Sequence, residues 1–247
     1  MGPRLGIIDV RTPAVANRRV SALSSRLVPA PSPKEFPLRY IAVEGPIGVG
    51  KTSLVGLLAK RFSGTQILED VTNPFLTDFY AGRKGAAFQA QIYFLLSRYQ
   101  QQQEIGQIDL FRNLVISDYT FPKDKIFAYL TLNDAEIALY DKLYASLTGA
   151  VPRPDLVIHL TASVETCLSR IKKRARSFEK GISPDYLKSL VEAYNYFFYH
   201  YRESPLLVVE TNAIDFVERK ADLEDLIAQI VRPFRGTQIY VPRSTKK

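Results

Sequence analysis

From Arg39 onward, short apolar runs alternate with longer amphipathic stretches, the pattern of an α/β domain built on a parallel sheet. The runs Tyr40–Val43, Gln66–Leu68, Leu114–Ser117, Asp155–Leu160 and Leu206–Val209 predict five strands. Helical spacing predicts Gly50–Phe62, a short Phe75–Tyr80, Ala86–Gln103, Lys125–Leu147 in two pieces, Val164–Arg176, Pro184–Tyr201 and a last helix from about Ile214 to Ile230. No internal repeat and no long interior loop calls for a second domain. Residues 1–38, with Pro3, Pro13, Pro29, Pro31 and Pro33 and no sustained period, read as a poorly ordered extension. Residues 39–234 then form one domain, and 235–247 a basic tail.

Composition narrows the function. At 46% hydrophobic and 23% charged, the 247 residues are globular. One cysteine, Cys167, and two histidines leave no disulfide scaffold and no Cys-ligated zinc site. No apolar run reaches the length of a membrane span, and no secretory leader is visible, so a reducing, cytoplasmic setting is expected.

The net charge of +8 suggests a polyanion partner, and its location says which one. Residues 1–38 carry six basic side chains against two acids, and the tail after Tyr240 carries three basic residues and no acid. The body between is nearly neutral, but Arg170–Lys180 alone holds six basic residues and one acid. A nucleic-acid surface would spread charge over a face and interleave aromatics, and neither occurs.

The first strand runs into Gly45-Pro46-Ile47-Gly48-Val49-Gly50-Lys51-Thr52, a GxxxxGK[ST] sequence between a strand and a helix. That context makes it a phosphate-binding loop: backbone N–H groups and a helix N-terminus converge on one anion, with Ser53 next in line. Lys51 reaches the β- and γ-phosphates of a bound nucleotide, and the Thr52 hydroxyl ligates Mg2+. No Asn-Lys-x-Asp guanine reader follows, which leaves a phosphotransferase with a small acceptor. Glu69 falls at the carboxyl edge of the second strand, where it can take a proton from an attacking alcohol; on position alone a surface acid in a turn is an equal reading.

Four further segments decide between them. Phe79-Tyr80, Phe88 to Arg98, Ser117-Asp118-Tyr119 and Arg170 to Glu179, in that order, resemble the deoxynucleoside kinase family over residues 39 to about 230, closest to its bacterial purine-deoxynucleoside and deoxycytidine branch. The resemblance implies a P-loop kinase fold with a five-stranded parallel sheet and a short basic lid. It implies ATP and Mg2+, a deoxynucleoside acceptor, salvage of nucleotides and a homodimer.

By position, it implies Glu69 as the base on the 5′-hydroxyl, Tyr80 on the 3′-hydroxyl and Gln91 on the Watson–Crick edge of the base. Arg98 lies two helical turns along the same face and reaches the same base, leaning the substrate away from thymidine. Asp118 ligates Mg2+ with Thr52 or orients the base, yet Tyr119-Thr120 stands where the family has Arg and Ser, so either Lys123 or Lys125 supplies the cation or transfer is slower. Asp124 or Lys123 faces the base. Arg170, Arg174 and Arg176 close over the triphosphate, Glu179 bonds the 3′-hydroxyl, and Asp215-Phe216 clasps the donor adenine. His159 and Cys167 read as core, and His200 as packing in an aromatic stripe. A nucleoside monophosphate kinase and a non-catalytic kinase-like scaffold remain as alternatives.

Overall fold

The computed structural model describes residues 38–70, 72–109, 114–175 and 182–242. Expectations placed on the N-terminal extension, Arg176 and Glu179 therefore lie outside the described residues.

Six strands form one sheet: β1 (Tyr40–Glu44), β2 (Thr65–Ile67), β3 (Val115–Ser117), β4 (Leu156–Thr161), β5 (Leu206–Glu210) and β6 (Thr237–Tyr240). The order is β2-β3-β1-β4-β5-β6, and every pairing is parallel. Parallel strands are buried on both faces, which is why β1 is apolar for four residues running and why all five of its residues are buried. The helices are α1 (Lys51–Phe62), α2 (Leu76–Tyr80), α3 (Ala86–Asp109), α4 (Lys123–Thr131), α5 (Asp134–Thr148), α6 (Val164–Arg174), α7 (Pro184–His200) and α8 (Lys220–Ile230).

Local chemistry sets the helix starts. Asn133 and Glu136 form a reciprocal capping box on α5. Ser163 caps α6, and Ser183 caps α7 ahead of Pro184. The main core fills the space between sheet and helices with Ile41, Leu54, Leu58, Ile158, Leu190 and Leu207. A second cluster, Leu95, Phe121, Ala128, Tyr140 and Tyr144, fastens α3, α4 and α5 to one another.

Two departures from expectation change the outline of the fold. α3 runs six residues past Gln103, and Ile105 in that extension is buried in the main core, while Gln102 before it is buried and donates to the Tyr40 hydroxyl at 3.4 Å. The sheet has six strands rather than five, and the sixth lies inside the segment read as a tail. β6 pairs with β5 from Leu206↔Thr237 to Val209↔Tyr240. Its exposure alternates, as on an edge strand, so four residues carry little apolar signal. Tyr240 is tied to Asp225 of α8, and Gln238 donates to Gln229 at 3.3 Å.

The order places β1 between β3 and β4, with later strands on one side and β3 and β2 on the other. Ligands of open α/β sheets bind beyond the carboxyl ends at such a reversal. A chain ending after Phe234 is expected to leave the β5 edge unpaired and to melt several degrees below the full chain in calorimetry, about 2–4 °C for each kcal/mol lost.

Candidate active site

The loop from Gly45 to Gly50 joins β1 to α1 in a conformation that only glycine holds at its key positions. A Cβ on Gly45, at φ 144°, would stand 2.4 Å from the Leu160 carbonyl oxygen, and one on Gly48, at φ 85°, 2.6 Å from that of Cys167. The loop is thus pressed against β4 and α6, with Val49 fully buried, and the twelve-residue α1 points its N-terminus into the cleft. Lys51 folds back onto the loop, donating to the carbonyls of Gly45 at 2.8 Å and Pro46 at 3.2 Å. Burial, and then the neighbouring Lys123 ammonium, pull the Lys51 pKa down to about 8.

Asp118, just beyond β3, ties three elements together. Its Oδ2 accepts from the Thr52 hydroxyl at 2.7 Å, its Oδ1 accepts from the Glu69 backbone N–H at 2.7 Å, and its own N–H donates to Ile67 at 3.2 Å. A hydroxyl and a carboxylate side by side are hard oxygen donors suited to Mg2+, which takes few protein ligands and fills its shell with phosphate oxygens and water. Consistently, no group of three His, Cys, Asp or Glu side chains among the described residues forms an all-protein cage.

Glu69 is the charge centre of the cleft. Its Oε1 accepts from Arg98, whose Nε lies at 3.1 Å and whose Nη2 is closer still, and its Oε2 accepts from Lys123 Nζ at 2.6 Å. Both cations are almost fully buried. Burial alone would raise the carboxyl pKa. The Lys123 ammonium and Arg98 guanidinium outweigh it and hold Glu69 well below the usual carboxylate range. Of the two candidate lysines, Lys123 is the one that bonds Glu69. It reaches Glu69 from the first turn of α4, where it also lies over the Phe127 ring.

Tyr119 itself turns into the core and is fully buried. Thr120 donates to the buried Glu44 from its backbone N–H at 2.5 Å and its hydroxyl at 2.9 Å, which fixes the turn that carries Asp118. Burial raises the Glu44 pKa, an effect moderated by Lys123 and Lys51.

Two cavities meet at the loop. The first is lined by the polar residues Lys51, Thr52, Glu69, Tyr80, Gln91, Arg98, Asp118 and Lys123 and by Ile47 and the rings of Phe79, Phe94, Phe127 and Tyr186. The second is lined by Val49, Ser53, Arg170, Lys173 and residues 214–218. Gly48, Gly50 and Arg174 line both, so Arg174 stands between them.

Sequence expectations fare unevenly here. Tyr80, Gln91, Arg98, Glu69 and Asp118 come together as expected. Asp124 does not line the cavity. It is fully buried behind Arg98, ion-paired with its Nη1 and accepting from Tyr140 at 2.9 Å, because α4 turns it inward while Lys123 faces the cleft. Arg170 lines the second cavity and also braces its wall: it donates to Val49 at 3.0 Å and to Thr211 through Oγ1 at 3.0 Å and O at 2.9 Å, joining the phosphate loop to the end of β5.

The Asp215 Oδ1 accepts from the N–H groups of Val217 and Glu218, which keeps 214–219 a loop and delays α8 to Lys220. Phe216 packs beneath Gly50. Tyr186 was missed because it comes from α7 with no motif of its own; Phe94, three residues after Gln91, had a periodic signal. His159 and Cys167 are core as expected, and burial presses the His159 pKa down to about 3, so it stays neutral. His200 is exposed, its ring tilted against Tyr196 and edge-on to Tyr199.

Comparison with known proteins points the same way. The profile of the family described as "Deoxynucleoside kinase" matches residues 41–234. The chain is 38% identical to the deoxyguanosine kinase of Bacillus subtilis, over 77% of this chain and 95% of that kinase. It is 43% identical to the deoxyadenosine kinase of Dictyostelium discoideum, over 64% of this chain and 66% of that one. Among solved structures, deoxyadenosine kinase from M. mycoides with dATP bound aligns at a TM-score of 0.66 and 26% identity, over 78% of this chain and 98% of the other.

Because Lys123 supplies the largest opposing charge on Glu69, Lys123→Met is expected to raise the Glu69 titration midpoint toward the ordinary carboxylate range. Carbon-13 NMR of the side-chain carboxyl reads that shift, and Lys123→Arg is expected to keep the midpoint low.

Proposed function

The chain belongs to the deoxynucleoside kinase family, so its reaction is transfer of the γ-phosphoryl group of ATP to the 5′-hydroxyl of a deoxynucleoside, and we propose the following roles for its residues. Purine deoxynucleosides and deoxycytidine are the favoured acceptors. The observation that carries the assignment of roles is the ionised Glu69, held by Arg98 and Lys123 at the wall of a cavity that also contains Lys51, Thr52 and Asp118. A monophosphate kinase would need cations there for an acceptor phosphate; here the two cations are spent on a carboxylate, which suits an uncharged hydroxyl.

Glu69 accepts a hydrogen bond from the 5′-hydroxyl. Its Oε2 bonds one partner and keeps a second lone pair for this purpose. A carboxylate held this acidic is a weak base, so it aligns the nucleophile and takes the proton late, as the bond from the 5′-oxygen to phosphorus forms and the bond to the β-phosphate oxygen breaks. Phosphoryl transfer with a loose transition state asks for positioning and electrostatics more than for strong base catalysis. The backbone N–H groups of Gly48 to Lys51 and the Lys51 ammonium hold the phosphates, and Arg174, common to both cavities, neutralises charge as it develops.

Thr52 and Asp118 are the residues that would hold Mg2+, which when bound draws charge from the phosphate oxygens. Tyr80 takes the 3′-hydroxyl, and Gln91 and Arg98 the base. Asp124 acts through Arg98. Asp215 and Phe216 contact the donor adenine. Arg176 and Glu179 keep the lid and 3′-hydroxyl roles that the family resemblance implies.

A homodimer is supported by the exposed tyrosines Tyr129 on α4 and Tyr196 and Tyr199 on α7, helices that pack on each other. No described helix is long and apolar enough to cross a membrane. The lone thiol, Cys167, is buried and unpaired, which suits the reducing cytoplasm.

ATP consumption with each of the four deoxynucleosides and their monophosphates tests the reading. Glu69→Gln is expected to lower kcat by about 10²–10⁴, and turnover of monophosphates alone would contradict it. The Lys51 pKa of about 8 in the free protein is lowered, so its charged form is lost as pH rises through that value. The kcat/KM for ATP is accordingly expected to fall above pH about 8, and a steady-state pH series on ATP measures it.

A further inference from the structure

At the base end of the first cavity, the Gln91 side chain is buried and makes one hydrogen bond among the described residues: Nε2 donates to the Thr131 hydroxyl at 3.2 Å. Thr131 is the last residue of α4, and its own hydroxyl donates to the Phe127 carbonyl one turn back at 2.8 Å. A hydroxyl has a single hydrogen, and that hydrogen is committed. Toward Gln91 it is an acceptor only. The amide must therefore turn its nitrogen to Thr131, since the opposite orientation would set two acceptors against each other. The buried Gln91 Oε1 is left without a partner among the described residues.

We propose that Thr131 is a positioning residue that locks the Gln91 amide in one orientation and thereby sets the discrimination between 6-amino and 6-oxo purine deoxynucleosides. The proposal rests on the deoxynucleoside reading of this cavity. With one Nε2 hydrogen engaged, Gln91 presents Oε1 and its second Nε2 hydrogen, an acceptor and a donor in fixed order. A 6-amino purine offers an amine beside an acceptor nitrogen at N1; a 6-oxo purine offers a carbonyl beside an N1 donor. The two edges are reversed. An amide free to turn over would serve both, and a locked one distinguishes them for a base held in one register by the walls that Phe79, Phe94 and Phe127 contribute.

The test compares kcat/KM for deoxyadenosine and deoxyinosine in the wild type, Thr131→Val and Thr131→Ser. Thr131→Val is expected to move their ratio about three- to tenfold toward one, the scale of one net hydrogen bond, with the change mainly in KM. Thr131→Ser, which keeps the hydroxyl, is expected to keep the ratio. Thr131→Ala removes the hydroxyl without the added methyl and reads the same ratio should the valine variant fail to fold. A wild-type ratio near one, a hydroxyl-free variant with the wild-type ratio, or a serine variant that loses it overturns the proposal. Affinities of the same two nucleosides by calorimetry give the ratio without turnover. A chain that binds both and phosphorylates neither would overturn the assigned reaction while leaving the Thr131 ratio readable.

Discussion

A carboxylate closed into a protein interior must either take up a proton or find cations, because its charge is far costlier there than in water. Glu69 takes the second course, and the arrangement around it follows from that requirement. One oxygen is given to Arg98 and the other to Lys123. Arg98 in turn needs Asp124 on its far side, and Asp124 needs the Tyr140 hydroxyl. The chain of partners runs from the cleft into the cluster that holds α3, α4 and α5 together, so the charge state of the site and the packing of those helices depend on each other.

The anion-binding half obeys a different constraint. Backbone N–H groups bind phosphate only if the loop carrying them is held still, and here it is held from three sides. β4 and α6 press against Gly45 and Gly48, Phe216 packs beneath Gly50, and Arg170 bonds the Val49 carbonyl and Thr211 together. Asp118 then links this half to the acceptor half, since one carboxylate accepts from Thr52 of α1 and from the backbone of Glu69. Arg174 is the remaining side chain that lines both cavities.

What could be read in the sequence depended on distance along the chain. The phosphate loop was legible because its residues are consecutive and each is dictated by backbone geometry or charge. Tyr80 and Gln91 were legible only through the family resemblance, and Arg98 as two helical turns beyond Gln91. Lys123 could only be named as one of two available cations, since its bond to Glu69 spans 54 residues and is decided by where α4 begins. Asp124 could not be told apart from Lys123 for the same reason, since one step around the helix separates the interior from the cleft. Arg170 was legible as part of a basic cluster, but its bonds to Val49 and Thr211, 121 and 41 residues away, were not. β6 was hidden because an edge strand is half wet and too short to show a period.

The central claim is that the paired Glu69 carboxylate, and no other group, meets the nucleophile. A crystal structure with a deoxynucleoside and a non-hydrolysable ATP analogue measures this directly. The account predicts the 5′-oxygen within hydrogen-bond reach of Glu69 Oε2, about 2.6–3.2 Å, with Lys123 still bonded to the same oxygen. A 5′-oxygen beyond that reach, or one bonded to Asp118 while Glu69 stays enclosed by Arg98 and Lys123, would contradict it.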